Sequence, residues 1–116
     1  MKMQSNKKST QFAAKLKHEI IFLKNFANSE TASETWEEKT KTFAQIIAIS
    51  ENNFGVIEGV SFGHVITEGY FVFITRFIES ITIRMRISFN NRIFEIKRII
   101  NNKEQNRMLK IITMEI

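Results

Sequence analysis

The chain has 116 residues, 43% hydrophobic and 25% charged, which fits one globular domain of the usual ~100–150 residues and argues against disorder and against a multidomain enzyme. It lacks cysteine, proline and aspartate, so disulfides, thiol nucleophiles, thiolate metal sites and iron–sulfur clusters are excluded. The net charge of +5 is unevenly spread: residues 1–17 hold five lysines and no acid, residues 18–60 three lysines against seven glutamates, and residues 61–116 nine basic residues against five glutamates.

Residues 1–11 (MKMQSNKKSTQ) are expected to form a flexible basic N-terminal arm, and residues 12–116 a single β-barrel domain. Residues 12–26 fit either a helical stripe (Phe12, Leu16, Ile20, Leu23) or a strand face (Leu16, His18, Ile20, Phe22). The β-branched and aromatic cluster at the end favours a strand over 16–24. Residues 27–38 read as a polar loop and 39–49 as a strand apolar on both faces. Residues 50–69 contain all four glycines, at 55, 59, 63 and 69, among many apolar side chains. A loop of that length is uncommon in a compact domain and is usually functional or disordered.

The second half is β structure by its patterning. Residues 70–78 are almost wholly apolar, and residues 84–89 alternate, with Met85, Ile87 and Phe89 opposing Arg84, Arg86 and Ser88. Asn90-Asn91 supplies a hairpin turn, because asparagine tolerates the positive φ of a type I′ turn. Residues 92–100 return, residues 101–105 turn again, and residues 106–115 form the last strand. The fold class expected is mainly β: a small six-stranded antiparallel barrel or sandwich with a long loop between the second and third strands. Its core should include Phe73, Met85, Ile87, Phe94, Ile96, Leu109 and Ile111. No apolar run approaches the ~18–20 residues of a transmembrane helix, and the N-terminus lacks the apolar stretch of a secretory signal.

Catalytic, metal and cofactor residues are expected to be none. His18 and His64 are far apart and belong to no HExxH pattern, and a histidine on an apolar face is more often structural. Glu34, Glu37 and Glu38 sit in a polar stretch and read as a solvated acidic surface. The glycines spell no phosphate-binding loop. Phenylalanines 71, 73, 77, 89 and 94 lie among Arg76, Arg84, Arg86, Arg92 and Arg98. That pattern suits a small basic single-stranded nucleic-acid-binding barrel, although core filling is the commoner fate of Phe. Trp36, the single tryptophan, either folds over the barrel or serves as a contact residue.

The run from Ile81 to Ile96 (ITIRMRISFNNRIFEI) resembles the signature of the tailed-phage head–tail joining proteins, also called head–tail adaptor or head-closure proteins. Phe73-Ile74-Thr75-Arg76-Phe77, Phe43-Ala44-Gln45-Ile46, Trp36, the opening Leu16–Phe22 and the closing Arg107-Met108-Leu109-Lys110-Ile111 follow the family's order, over residues 14–115. Three departures stand out: Asn90-Asn91 for the usual Asp-Gly, Ala27-Asn28-Ser29-Glu30 for a glycine-rich turn, and Ile83 for a proline. Alternation allows one strand over 81–89, whereas the resemblance favours a break near residues 80–82.

The resemblance implies a non-enzymatic morphogenetic protein, without cofactor, in the head–tail connector of the virion, assembled in the bacterial cytoplasm. Such a protein is a monomer when isolated and forms a homo-oligomeric ring of roughly twelve copies in the particle. It would contact a portal or adaptor protein and a tail-completion protein, let packaged DNA pass without sequence-specific binding, and touch no membrane. Interface residues expected on this basis and on the charge split are Trp36, Arg76, Arg84, Arg86 and Arg92, the arginines meeting Glu34, Glu37 or Glu38 of the next subunit, and Phe54, Val56, Ile57, Val60 and Phe62 of the long loop.

Overall fold

The computed structural model describes residues 15–26, 34–49, 69–101 and 105–116. Six strands run β1 (His18–Asn25), β2 (Trp36–Ala48), β3 (Tyr70–Arg76), β4 (Arg86–Phe89), β5 (Arg92–Asn101) and β6 (Met108–Glu115). All pairings are antiparallel, and the order β1-β2-β3-β6-β5-β4 closes into a barrel. The expected six-stranded antiparallel architecture is therefore a barrel and not an open sandwich. Closure rests on β1 meeting β4, with Phe22 opposite Ile87.

Strand alternation fills the interior. Ile20, Phe22, Ala44, Phe73, Ile87, Phe94, Ile96, Leu109 and Ile111 are buried in one cluster. Phe71 and Phe73 present edges to Phe94, at ring-centroid distances of 5.3 and 4.9 Å, the edge-to-face arrangement that aromatic quadrupoles favour. All seven core residues expected from the patterning are buried. A second layer lies on the opposite side of the wall, where Ile49, Val72 and Ile112 are buried with Ile47, Tyr70, Ile74 and Ile100 packed against them.

The turns follow their chemistry. Asn90 and Asn91 have φ of 52° and 61°, as the type I′ hairpin requires. Asn101 and Asn106 tie the β5–β6 connection: the Asn101 amide donates to Asn106 Oδ1 at 2.7 Å, and the Asn106 N–H donates to Asn101 Oδ1 at 3.1 Å. The β5 register shifts between Ile96 and Arg98, which leaves Lys97 and Arg98 both exposed and returns Ile99 to the core side.

Several boundaries differ from expectation. Trp36–Glu38 are not loop but the start of β2, paired to Asn25, Lys24 and Leu23. Their polar sequence hides a strand because Glu37 and Glu38 are exposed to solvent. The third strand ends at Arg76; Phe77 and Ile78 leave the ladder and pack on the core, and the Phe77 N–H donates to the Arg107 carbonyl at 2.9 Å. A continuous strand over 81–89 does not exist. The chain breaks over 77–85, turns with a Met85 N–H to Thr82 carbonyl bond of 3.1 Å, and buries Ile81 and Met85 against the barrel core. The expected arm 1–11, most of the 27–38 stretch and the loop 50–69, apart from Gly69, lie outside the described residues. Gly69 enters β3 with φ of 82°, a backbone that an L side chain rarely adopts.

Candidate interaction surface

The register carries chemistry to one outer face. Asn25 stands opposite Trp36, Leu23 opposite Arg86, and Arg86 opposite Glu95, so residues of β2, β1, β4 and β5 line up across the wall. Arg86 reaches over Trp36 with its guanidinium carbon 4.1 Å from the ring centroid, a cation–π contact across β1. The Trp36 indole N–H donates to Glu34 at 3.3 Å. Beside them a cleft of about 720 Å³ opens between this row and the turns at residues 80–85, lined among others by Lys24, Asn25, Lys39, Ile83 and Arg84.

The predicted arginines separate into three environments. Arg84 and Arg86 share the cleft with Trp36. Arg76 lies apart, in a groove of about 230 Å³ with Leu16, Thr42 and the half-exposed Phe43. Arg92 has a carboxylate inside the chain: it donates to both oxygens of Glu115, at 3.0 and 2.8 Å, a bidentate fork. Hydrogen bonding to Arg92 holds the Glu115 carboxyl below its ordinary range, desolvation opposing this and charge attraction adding to it; Glu115 in turn raises Arg92. Arg92 also lies 5.0 Å from the ring centroids of Phe71 and Phe94. Two of the acids expected to meet a neighbour also have internal partners, since Glu34 accepts from Trp36 and Glu38 pairs with Lys41 at 3.4 Å. Phe54, Val56, Ile57, Val60 and Phe62 lie outside the described residues.

The aromatic side chains that a nucleic-acid stacking platform would need are turned inward. Phe73 and Phe94 are fully buried, and Phe71, Phe77 and Phe89 pack against the core. His18 sits edge-on to Phe89 at 5.3 Å, a packing role. Sequence reasoning missed Asn25, Lys24 and Lys39 as parts of the surface. The available signal was the antiparallel return of β2 along β1, which brings the end of one strand to the start of the other.

The decisive comparison is with family models: residues 13–116 match that of the phage head completion protein. The chain belongs to the phage head completion protein family. It is thus a structural component of the phage particle, as the resemblance of the Ile81–Ile96 run implied. Solved structures share its fold. The solution structure of protein SF1141 from Shigella flexneri 2a superposes with a TM-score of 0.67 at 17% identity, over 87% of this chain and 93% of that one. A chain from the virion of the native gene transfer agent particle gives a TM-score of 0.58 at 16% identity, over 87% and 96%. No curated protein sequence matches.

Proposed function

We propose that this head completion protein forms a ring at the head–tail junction of a tailed phage or phage-like particle, connects the portal or adaptor to the tail, and closes the DNA-filled head. Its work is binding, with no catalytic step. The observation that carries this reading is the family match over residues 13–116. Charge supports it: Arg76, Arg84 and Arg86 form no ion pair among the described residues and are available to neighbouring particle proteins. Trp36 and Arg92 would extend the same contact surface, and the loop residues Phe54, Val56, Ile57, Val60 and Phe62 would bury against a neighbour on assembly, the subunit being monomeric before it.

Deleting the gene from an inducible particle-producing strain tests this. The expected result is heads that package DNA but leak it and carry no tails, with wild-type protein restoring tailed particles. Tailed, DNA-filled particles in its absence would sink the proposal. Electron microscopy of complemented particles should place a ring of this barrel between portal and tail. Reversing Arg86 to Glu should block incorporation while the monomer stays folded.

A further inference from the structure

The cleft beside Trp36 has an uncompensated charge and an unpaired acceptor. Among the described residues, Lys24, Lys39, Arg84 and Arg86 line it against two carboxylates, Glu34 and Glu95, a surplus of two positive charges. Both carboxylates are already engaged: Glu34 accepts from the Trp36 indole, and Glu95 accepts from Lys97 at 3.2 Å. Neither Lys39 nor Arg84 nor Arg86 has an ion-pair partner among the described residues. Asn25, on the same lining, has a buried side-chain oxygen with no hydrogen-bond donor among the described residues. A buried acceptor without a donor is costly and rare in folded proteins. Ile83, at 60% the most exposed of the large apolar residues among those described, stands on the lining as well.

We propose that this cleft binds an extended acidic segment of another particle protein, with its carboxylates on Arg84, Arg86 and Lys39, a backbone N–H on Asn25 Oδ1, and an apolar side chain against Ile83. The inference rests on reading this face as a contact surface in the particle, and it names the occupant. A phosphodiester chain fits less well. Its phosphates carry no hydrogen-bond donor for Asn25, and Arg86 already occupies the face of the Trp36 ring on which a base would stack. A second copy of this chain also fits less well, because two of the three acids expected to meet it, Glu34 and Glu38, already have internal partners.

The test is a nuclear magnetic resonance titration of the isotope-labelled full chain with a peptide of about ten residues alternating glutamate and leucine, a length that fills an extended groove. Parallel arms use the same peptide with lysine for glutamate, and a thymidine oligonucleotide. The expected result is movement of the Trp36 indole N–H and the Asn25 side-chain amide with the acidic peptide alone, with binding that weakens as salt rises. Arg84→Glu should weaken binding at least about tenfold, as loss of a desolvated charge contact does, whereas reversal of the exposed Lys17, which is not on the cleft, to Glu should leave it unchanged. The cation–π contact on the Trp36 ring belongs to Arg86, so reversing Arg84 removes a ligand contact and leaves that pair in place. No shifts at Trp36 and Asn25, equal shifts with the lysine peptide, or stronger binding of the oligonucleotide would each overturn the proposal. So would concentration-dependent self-association that moves the same resonances without peptide. Incorporation of Arg84→Glu into particles at the wild-type level would overturn it too, and would leave the ring at the head–tail junction standing.

Discussion

The two sides of this small barrel are built differently. Across β2, β3 and β6 one outward row is apolar and covered: Ile47, Val72 and Ile112 stand in register, and Val72 is as fully buried as Phe73 beside it on the inner side. Across β1, β4 and β5 the outward row is Leu23, Arg86 and Glu95, all half-buried, with Arg86 and Glu95 lining the cleft beside Trp36. One wall is a layer between two apolar clusters, and the other separates a core from a charged surface. The contrast teaches that closing the barrel specifies only the inner face. The outer face is where the two sides differ: apolar burial adds stability on one, and charge remains on the other.

The largest effect should come from the shared interior. Phe94→Ala, which removes the ring that Phe71 and Phe73 both meet edge-on, should cost ~3–5 kcal/mol in a denaturant or thermal melt followed by circular dichroism. Ile96→Ala and Leu109→Ala should cost ~2–5 kcal/mol each. Outside the wall, Ile112→Ala should still cost ~2–4 kcal/mol, because Ile112 is 6% exposed. A loss below ~0.5 kcal/mol would put it with ordinary surface substitutions and break the comparison between the two walls.

A smaller effect is expected from the polar residues inside. The buried Thr113 hydroxyl donates to the Phe71 carbonyl at 3.0 Å, so Thr113→Val should cost ~1 kcal/mol. The smallest concerns the Arg92–Glu115 fork. Its glutamate has a lowered folded-state value, so the stability it contributes is complete above the ordinary glutamate value and is lost as pH falls through the lowered one. Glu115→Gln should therefore melt slightly below wild type near neutral pH, and the gap should close in acid. A gap that widens on acidification would reverse the sign and exclude the fork as its source.

Much of the architecture was legible in the sequence, for a definite reason. Where one face of a strand is polar, as in Arg84–Phe89, a period of two identifies the buried side, and Met85, Ile87, Phe94 and Ile96 follow. Asn90-Asn91 was legible because few residues tolerate two positive φ angles in succession. Trp36–Glu38 was not: local polarity says loop, and the strand arises from pairing with Leu23–Asn25, which local composition cannot supply. The end of β3 and the turn at Thr82–Met85 escaped alternation because an apolar run carries no period, and only the family-like order of residues 81–96 pointed to the break. The candidate site was half legible. Arg84, Arg86 and Trp36 were marked by residue type, but they meet only because β1 passes between β2 and β4, with an extra residue of β2, Lys39, bulging out of the β1–β2 ladder. The partner of Arg92 was hidden by the 23 residues separating it from Glu115.

Barrel closure has a mechanical consequence. Every strand has two hydrogen-bonded neighbours, from β1 between β2 and β4 round to β5 between β4 and β6. A pull on an open sheet can peel its outermost strand one bond at a time, like a zip. In a hoop no strand is outermost, so a load on any one is carried by two ladders at once, and extraction must shear both together. A structural component of a particle gains from such a wall, because its failure demands many bonds in one event and is correspondingly slow.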